Sequence, residues 1–256
     1  MSDLSPGARK KPALPPDAPL DRLIHDSSPE VLAAVAADHR LTEDLALALL
    51  NRRDLPREAL EELNRNGGVA KHRKVRLAVV MHPRAPRHVS VPTIRHLYTF
   101  ELMQVALFPS VAADIKRAAE EALISRMGTI SSGERMALAK QSSGRVAAAL
   151  LHDPEPRIMQ AALLNPRMTE ILIVKALRSQ EPTGHLAPAI CRHEKWAQRH
   201  DVKMALLANQ NTPFARVLQI ADELSPRALK DVLANSRLSA NVKSYLLSLV
   251  AKKARR

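Results

Sequence analysis

Apolar residues recur along the chain with the spacing of short amphipathic helices. Positions i, i+1, i+4 and i+5 lie side by side on a helix, and this spacing appears twice before residue 51, on either side of a polar break at 38–40. The second half of the chain repeats the arrangement, with a break at 165–167. The apolar positions in the first half are Val31, Leu32, Val35 and Ala36, then Leu41, Leu45, Leu49 and Leu50. The pattern predicts helices joined by tight polar turns.

The sequence also repeats itself: adding 127 to a residue number in the first half gives a similar residue in the second, without a gap from about Leu23 to Val250. We call this difference in numbering the repeat offset. A constant internal period is typical of repeat architectures, so we expect a tandem duplication. Residues shared by both copies are then candidates for scaffold, and residues present in one copy are candidates for function. Matching pairs include His25 and His152, Asp26 and Asp153, Thr42 and Thr169, Val75 and Val202, Ala78 and Ala205, and Lys116 and Lys243.

The polar residues at the breaks have a predicted structural role. Asp153 can accept hydrogen bonds from the free N–H groups of the next helix, and Pro154 suits a first helical turn because it has no N–H. Asn165, followed by a proline, is expected to end a helix. Thr42 and Thr169 each precede a glutamate, a pairing that favours a capped helix start.

These joints carry a family resemblance. The run from His152 to Ile158, followed by Leu164-Asn165-Pro166 and Leu172, resembles the unit of leucine-rich-repeat-variant and HEAT-like α-solenoids, and the run from Val202 to Pro213 is similar. The resemblance covers most of residues 20–250. It implies an all-α fold, a right-handed α-solenoid of short HEAT-like helical repeats. Such solenoids bind many kinds of partner, so the resemblance implies no particular activity.

Composition supports the helical prediction and narrows the chemistry. Ala and Leu dominate the apolar residues, and the chain has only one Trp, two Tyr, three Phe and seven Gly. The single Cys191 excludes an internal disulfide and cannot form a cysteine metal site. It also excludes the iron–sulfur cluster of one leucine-rich-repeat-variant protein, which needs several cysteines. With no secretory signal and no membrane-length apolar run, we expect a soluble, cytoplasmic protein of the Arg-rich kind common in bacteria.

The predicted organisation has four parts: a flexible Pro- and Lys-rich tail at 1–19, a first solenoid copy at 20–127, a second at 128–250 and a basic tail at 251–256. The formal charge is +13. Residues 1–127 contribute 19 − 16 = +3 and residues 128–256 contribute 20 − 10 = +10. Such an excess suggests an acidic partner, although it is also common in proteins that bind none.

The segment 64–100 is the main candidate for function, because it contains no Asp or Glu. Its counterpart at 191–227 contains four acidic residues, so the scaffold does not require their absence. Clustered Lys and Arg can neutralise acidic groups, but a charge run can equally be a solvated convex face. The candidate partner-binding residues are Arg73, Lys74, Arg76, Arg84, Arg87 and Arg95.

Other candidate sites are weaker. His193 and His200 are seven positions apart and could share a helix face, but a third metal ligand is not evident. The recurrence of His-Asp at 25–26 and 152–153 indicates a structural role. We expect Trp196 to pack in the core, since its counterpart is Val69, and Phe214 to be exposed. The chain resembles HEAT-like alkylpurine DNA glycosylases in length, helicity and basicity, but it lacks their aromatic-rich cleft with a catalytic carboxylate.

No catalytic residue, metal ligand or cofactor can be assigned from the sequence, and the basic tail at 251–256 is expected to serve solubility. The leading hypothesis is a non-enzymatic binding or scaffold protein that engages an acidic protein or peptide through the 64–100 segment. The alternative is a nucleic-acid-binding protein that contacts phosphates without sequence preference. Salt dependence separates them, because several phosphate contacts make affinity fall steeply with salt.

Overall fold

The computed structural model describes residues 14–179 and 184–253, and within them it contains helices and no strands. The all-α prediction is therefore confirmed. The described chain divides into two compact units, with the boundary between Arg126 and Met127. We call them unit 1 and unit 2.

Unit 1 holds eight helices: α1 Leu20–Leu23, α2 Pro29–Ala37, α3 Glu43–Leu50, α4 Arg57–Arg65, α5 Arg73–Met81, α6 Arg87–Ile94, α7 Thr99–Leu107 and α8 Ala113–Arg126. Unit 2 holds ten: α9 Ser132–Gln141, α10 Gly144–Ala149, α11 Pro156–Leu163, α12 Glu170–Arg178, α13 Leu186–Arg192, α14 Glu194–Ala197, α15 His200–Ala208, α16 Phe214–Glu223, α17 Pro226–Ala234 and α18 Ala240–Lys253. A short 3₁₀ helix, Leu150–His152, follows α10. The bounds of α5, α7 and α8 recur at the repeat offset in α15, α17 and α18.

Side-chain caps start some of these helices, as the sequence predicts, but not all. The Thr42 hydroxyl accepts a hydrogen bond from the Leu45 N–H at 3.4 Å, which confirms that cap. The predicted Thr169 cap is wrong, because its side chain makes no capping bond to α12. Asp153 does accept an N–H, from Glu155 at 2.9 Å, but that residue precedes α11. The first-turn proline of α11 is therefore Pro156 and not Pro154.

The joints share a hydrogen-bond pattern in which one side chain bridges its own turn and an earlier backbone carbonyl. In unit 2, Asn209 accepts the Asn211 N–H at 2.8 Å and donates to the Leu177 carbonyl at 2.7 Å. Its counterpart in unit 1 at the repeat offset is His82, which does the same with other atoms. The Nδ1 of His82 accepts the Arg84 N–H at 3.1 Å, and its Nε2 lies 2.8 Å from the Arg52 carbonyl.

Both contacts of His82 require the neutral tautomer that carries its proton on Nε2. Since Nδ1 must accept from a backbone N–H, only Nε2 can donate to the carbonyl of Arg52. Burial lowers the pKa of His82, because the charged imidazolium is disfavoured away from water. His82 is therefore a structural residue at a joint.

The core follows the apolar faces predicted from the sequence. In unit 1 one buried cluster extends from Leu20 to Val89, and Leu14 packs against it. Residues 1–13 of the predicted flexible tail lie outside the described residues. Within 14–19, the carbonyls of Pro15 and Pro16 accept hydrogen bonds from the Arg40 guanidinium.

In unit 2 the only tryptophan of the sequence lies in the core. Trp196 is 3% exposed, and its indole N–H donates to the Leu163 carbonyl at 3.1 Å. Its predicted packing is confirmed. Phe214 is 48% exposed, also as expected. The predicted basic tail begins inside α18, which ends at Lys253, and residues 254–256 lie outside the described chain.

Candidate anion-binding surface on unit 1

The structure divides the six candidate residues between the two ends of α5. Arg73, Lys74 and Arg76 lie in its first turn, whereas Arg84 and Arg87 follow its last turn. At a rise of about 1.5 Å per residue, the five steps from Arg76 to Met81 alone separate these groups by about 7.5 Å along the helix. Arg95 follows the end of α6, beside His96, which shares a surface depression with Arg76. Four of the six cations therefore lie near the beginning of α5: Arg73, Lys74, Arg76 and, through its neighbour His96, Arg95.

Arg73 is held by contacts within unit 1. Its Nε forms a short ion pair with Oε1 of Glu101, and its guanidinium lies 4.2 Å from the ring centroid of Tyr98. The other carboxylate oxygen of the buried Glu101 accepts the Tyr98 N–H at 2.8 Å, at the start of α7. Arg73 thus links the beginning of α5 to the beginning of α7, although 59% of its side chain remains exposed. Arg73 therefore contributes both to packing within unit 1 and to the positive charge of its surface.

The pair at the far end of α5 is engaged more loosely. Arg84 donates from Nη1 to the Asp54 carbonyl at 2.7 Å. Arg87 lies 3.5 Å from the Asp114 carboxylate, and both side chains are well exposed. Exposed ion pairs of this kind contribute about 0–1 kcal/mol to stability, so neither contact fixes a binding site.

Carboxylates from outside the 64–100 segment approach it in space. The imidazole of His72 lies 3.1 Å from Glu43, and that of His88 lies 3.1 Å from Glu61. Arg73 and Arg87 meet Glu101 and Asp114 in the same way. An acid-free stretch of sequence is therefore not an acid-free surface. The candidate surface is the part of this segment that these carboxylates do not contact.

That part is a surface depression of about 460 Å³ between the start of α5 and the end of α6. Three of its lining residues are basic and none is acidic. The depression is lined by Asn64, Gly67, Ala70, Lys71, Arg76, Pro92, Thr93 and His96. We call it the basic depression. Lys74 and Arg95 are exposed neighbours of its lining residues in the sequence, and no described residue forms an ion pair with either side chain.

The hydrogen-bonding capacity of Arg76 is only partly used. Its Nη2 donates to the Lys71 carbonyl at 2.7 Å, which fixes the direction of the guanidinium. Its Nε is buried and has no hydrogen-bond partner among the described residues. A guanidinium has five N–H donors and no acceptor, so it favours an anion as its next partner.

The polar side chains of the basic depression also present donors. The hydroxyl of Thr93 donates to the Val89 carbonyl at 2.7 Å, and its oxygen lies 3.3 Å from Oδ1 of Asn64. Because the hydroxyl has one proton, the contact with Asn64 does not fix the orientation of the amide, but either orientation leaves at least one N–H of the Asn64 NH₂ group to donate elsewhere. Together with the ammonium of Lys71, the lining groups can surround one small oxyanion.

The corresponding place in unit 2 has the opposite arrangement. Lys203 is the counterpart of Arg76 at the repeat offset, and Glu223 is the counterpart of His96. Lys203 and Glu223 form a 2.6 Å ion pair. The hydrogen bond from Lys203 lowers the pKa of the Glu223 carboxyl, so this group is ionised at neutral pH. Unit 2 neutralises its cation internally, and unit 1 has a histidine where the carboxylate would be.

Other chemistry is not built among the described residues. No group of three or more His, Cys, Asp or Glu side chains is placed to hold a metal ion there. His193 and His200 do not share a helix, because α14 ends at Ala197 and α15 begins at His200. Burial raises the pKa of the half-buried Cys191 thiol, which disfavours a reactive thiolate. No described helix is long and apolar enough to cross a membrane.

Comparisons of the chain with protein-family models, with curated proteins and with solved structures found no match. The residues of the basic depression are therefore the basis for assigning a function.

Proposed function

We propose that the chain is a non-enzymatic helical-repeat protein whose unit 1 binds an acidic protein or peptide. The observation that carries this proposal is the basic depression, where Lys71, Arg76 and His96 line a concave surface without a carboxylate. Concave surfaces with a few convergent polar groups are the usual place for a ligand. Here two of those groups, Lys71 and Arg76, are cationic, so the ligand is anionic.

The proposal includes a repeat architecture, an α-solenoid built by tandem duplication. Two observations support it. Helices α5, α7 and α8 have the same bounds, shifted by the repeat offset, as α15, α17 and α18. His82 and Asn209, which are also related by the repeat offset, each accept the backbone N–H two residues ahead and contact an earlier backbone carbonyl. HEAT-like repeats commonly serve as extended binding surfaces.

The surroundings of the basic depression favour a protein partner over a nucleic acid. Tyr98 and Phe100 follow His96 in the sequence and are 62% and 45% exposed. Arg and aromatic residues together are enriched in the centres of protein–protein interfaces. A phosphate track would instead use many unengaged cations, but Arg73, Arg84 and Arg87 already have partners within unit 1.

Nucleic-acid binding is the second candidate, and the exposed Lys74 and Arg95 favour it, since they can extend a phosphate footprint beyond the basic depression. The net charge of +13 also favours binding to a nucleic acid. This mode predicts binding to single- and double-stranded DNA alike and a steep loss of affinity with salt.

Fluorescence anisotropy tests both candidates on the full chain. The probes are a labelled Asp- and Glu-rich peptide containing one aromatic residue, a labelled DNA strand and its duplex, each across a salt series. The unit 1 variant is Lys71/Lys74/Arg95→Glu, three exposed positions that leave the Arg73–Glu101 contact intact. The matched control is Arg199/Arg227/Lys230→Glu, three exposed positions in unit 2. Each triple variant lowers the net charge by 6, from +13 to +7.

We expect the wild type and the control variant to bind the peptide, and the unit 1 variant to lose that binding. If wild-type protein binds no acidic peptide at low salt, the proposed function is wrong. If DNA binds more tightly than the peptide and with a steep salt dependence, the second candidate replaces the first. Equal losses in both triple variants would show that only net charge matters.

A further inference from the structure

We propose that the basic depression is a socket for one carboxylate side chain of the partner, which takes the place that Glu223 takes beside Lys203 in unit 2. This inference rests on the proposed function and adds the chemical group that the partner inserts. In unit 2 this carboxylate comes from Glu223 of the same unit. In unit 1 it would come from the partner.

The positions in the two units correspond closely. Arg76 and Lys203 are each the fourth residue of a nine-residue helix, α5 and α15, whose bounds differ by the repeat offset. Each cation therefore leaves its helix in the same register. The counterpart of Glu223 is His96, which lines the basic depression together with Arg76. Both units place a cation here, Arg76 or Lys203, and the position facing it is a carboxylate in unit 2 and an imidazole in unit 1.

A second difference between the units also leaves unit 1 without a carboxylate that unit 2 has. Gly67 lines the basic depression, and its counterpart at the repeat offset is Glu194. A Cβ atom added at Gly67 would meet nothing within 4 Å, so this position leaves open space. Unit 1 thus lacks both carboxylates that stand at the corresponding positions of unit 2. The charge and the space both fit an incoming acidic side chain.

The donors in the basic depression match a carboxylate. Arg76 keeps the N–H donors of Nη1 after its Nη2 bonds to the Lys71 carbonyl, and Lys71 contributes an ammonium group. The Asn64 amide can add a neutral N–H donor, since at most one of its two N–H groups can face the Thr93 hydroxyl. A carboxylate has two oxygens that accept several hydrogen bonds, and charge-assisted bonds of this type are stronger than neutral ones.

The decisive variant is His96→Glu, which gives unit 1 the internal carboxylate that unit 2 has. We expect it to pair with Arg76 and to weaken acidic-peptide binding by at least about tenfold, as loss of a hydrogen-bonded charge pair at an interface does. The matched control is His25→Glu, which makes the same charge change at an exposed position of unit 1 away from the basic depression. It should bind the peptide within about twofold of wild type, because a rim charge has a small effect. Circular dichroism of both variants checks that they fold.

A second measurement observes the socket without the peptide. The side-chain Nε–Hε resonances of the arginines are followed by NMR during titration of wild-type protein with N-acetylglutamate, and separately with inorganic phosphate at matched ionic strength. We expect N-acetylglutamate to shift the Arg76 resonance in wild type and not in His96→Glu. A shift caused by phosphate alone would overturn the carboxylate assignment.

The outcomes separate the two proposals. If His96→Glu binds the acidic peptide as wild type does while Lys71/Lys74/Arg95→Glu does not, the socket is wrong and the proposed function stands. If wild type binds no acidic peptide but N-acetylglutamate shifts Arg76, the socket stands and the proposed function is wrong. If neither ligand shifts Arg76 and His96→Glu is neutral, the socket is wrong.

Discussion

Replacing Asn165 with alanine should destabilise unit 2 by about 2–3 kcal/mol, because one buried side chain makes three hydrogen bonds to the backbone. Asn165 is 3% exposed. Its Nδ2 donates to the Ala139 carbonyl at 2.8 Å and to the Ser142 carbonyl at 3.3 Å. Its Oδ1 accepts the Arg167 N–H at 2.8 Å. Alanine removes all three bonds and leaves the backbone groups without these partners.

The magnitude follows from the geometry of each bond. A typical intramolecular hydrogen bond contributes about 0.5–1.5 kcal/mol, and a buried group left unsatisfied costs about 1–3 kcal/mol. The bonds to the Ala139 carbonyl and from the Arg167 N–H are short and should each contribute about 1 kcal/mol. The 3.3 Å bond to the Ser142 carbonyl is longer, and we assign it about half of that.

Urea denaturation followed by tryptophan fluorescence measures the stability of unit 2, which contains Asn165. Trp196 is the only tryptophan, lies in unit 2 and bonds to the Leu163 carbonyl, close to Asn165 in the chain. With a urea dependence of about 1–3 kcal/mol per molar, the midpoint should fall by about 1 M or more.

The control is Leu164→Ala, an adjacent side chain that is 72% exposed. It should change the stability by less than about 0.5 kcal/mol, as substitutions on the surface usually do. If Asn165→Ala and Leu164→Ala have the same midpoint, the joint side chains do not hold the helices together, and the structural account of these polar residues is refuted.

Three further predictions test other features of the units. Gly144→Ala should destabilise the fold by about 1–3 kcal/mol in thermal unfolding, because its Cβ would lie 2.3 Å from a backbone oxygen. The control Gly128→Ala should be neutral, because its Cβ would meet nothing within 4 Å. Ala205→Phe should cost about 1–3 kcal/mol by overpacking, since Ala205 is 2% exposed, and an unchanged melting temperature would contradict its core position. His82 has a lowered folded-state pKa, so its stabilising contribution is present above about pH 6.5 and is lost as the pH falls through that lowered value. His82→Asn should keep the joint bonds and reduce the difference in stability between neutral and acidic pH, measured by circular dichroism; an unchanged difference would refute the assignment.

The helices could be predicted from the sequence because their determinants are local. Apolar spacing and the polar breaks at 38–40 and 165–167 placed α2, α3, α11 and α12 where the structure has them. The Thr42 cap was predictable, but the equivalent Thr169 makes no cap despite the same following glutamate. Helix starts were harder to predict, since Asp153 and Pro154 could each begin a helix and the structure begins α11 at Pro156.

The candidate site was less predictable, because charge in space depends on contacts between distant residues. The segment 64–100 contains no acid, yet Glu43, Glu61, Glu101 and Asp114 all approach it in unit 1. Nothing in the spacing of these carboxylates indicates which histidine or arginine each one meets. The repeat offset was the one signal that could have found His96, since it sets this residue against Glu223.

The charge of each half does not indicate which half holds an available cation. Residues 1–127 have an excess of only +3, but several of their acids are committed to local contacts. Asp38 pairs with Arg40, which lowers its pKa to about 2, and Asp54 pairs with Arg52. Acids fixed in this way cannot neutralise the basic depression. The lining residues there keep a positive potential in the less basic half, whereas unit 2, with the larger excess, neutralises the corresponding lysine with Glu223. The position of each carboxylate, and not the sum of charges, therefore decides which cations in each unit lack an acidic partner within the chain.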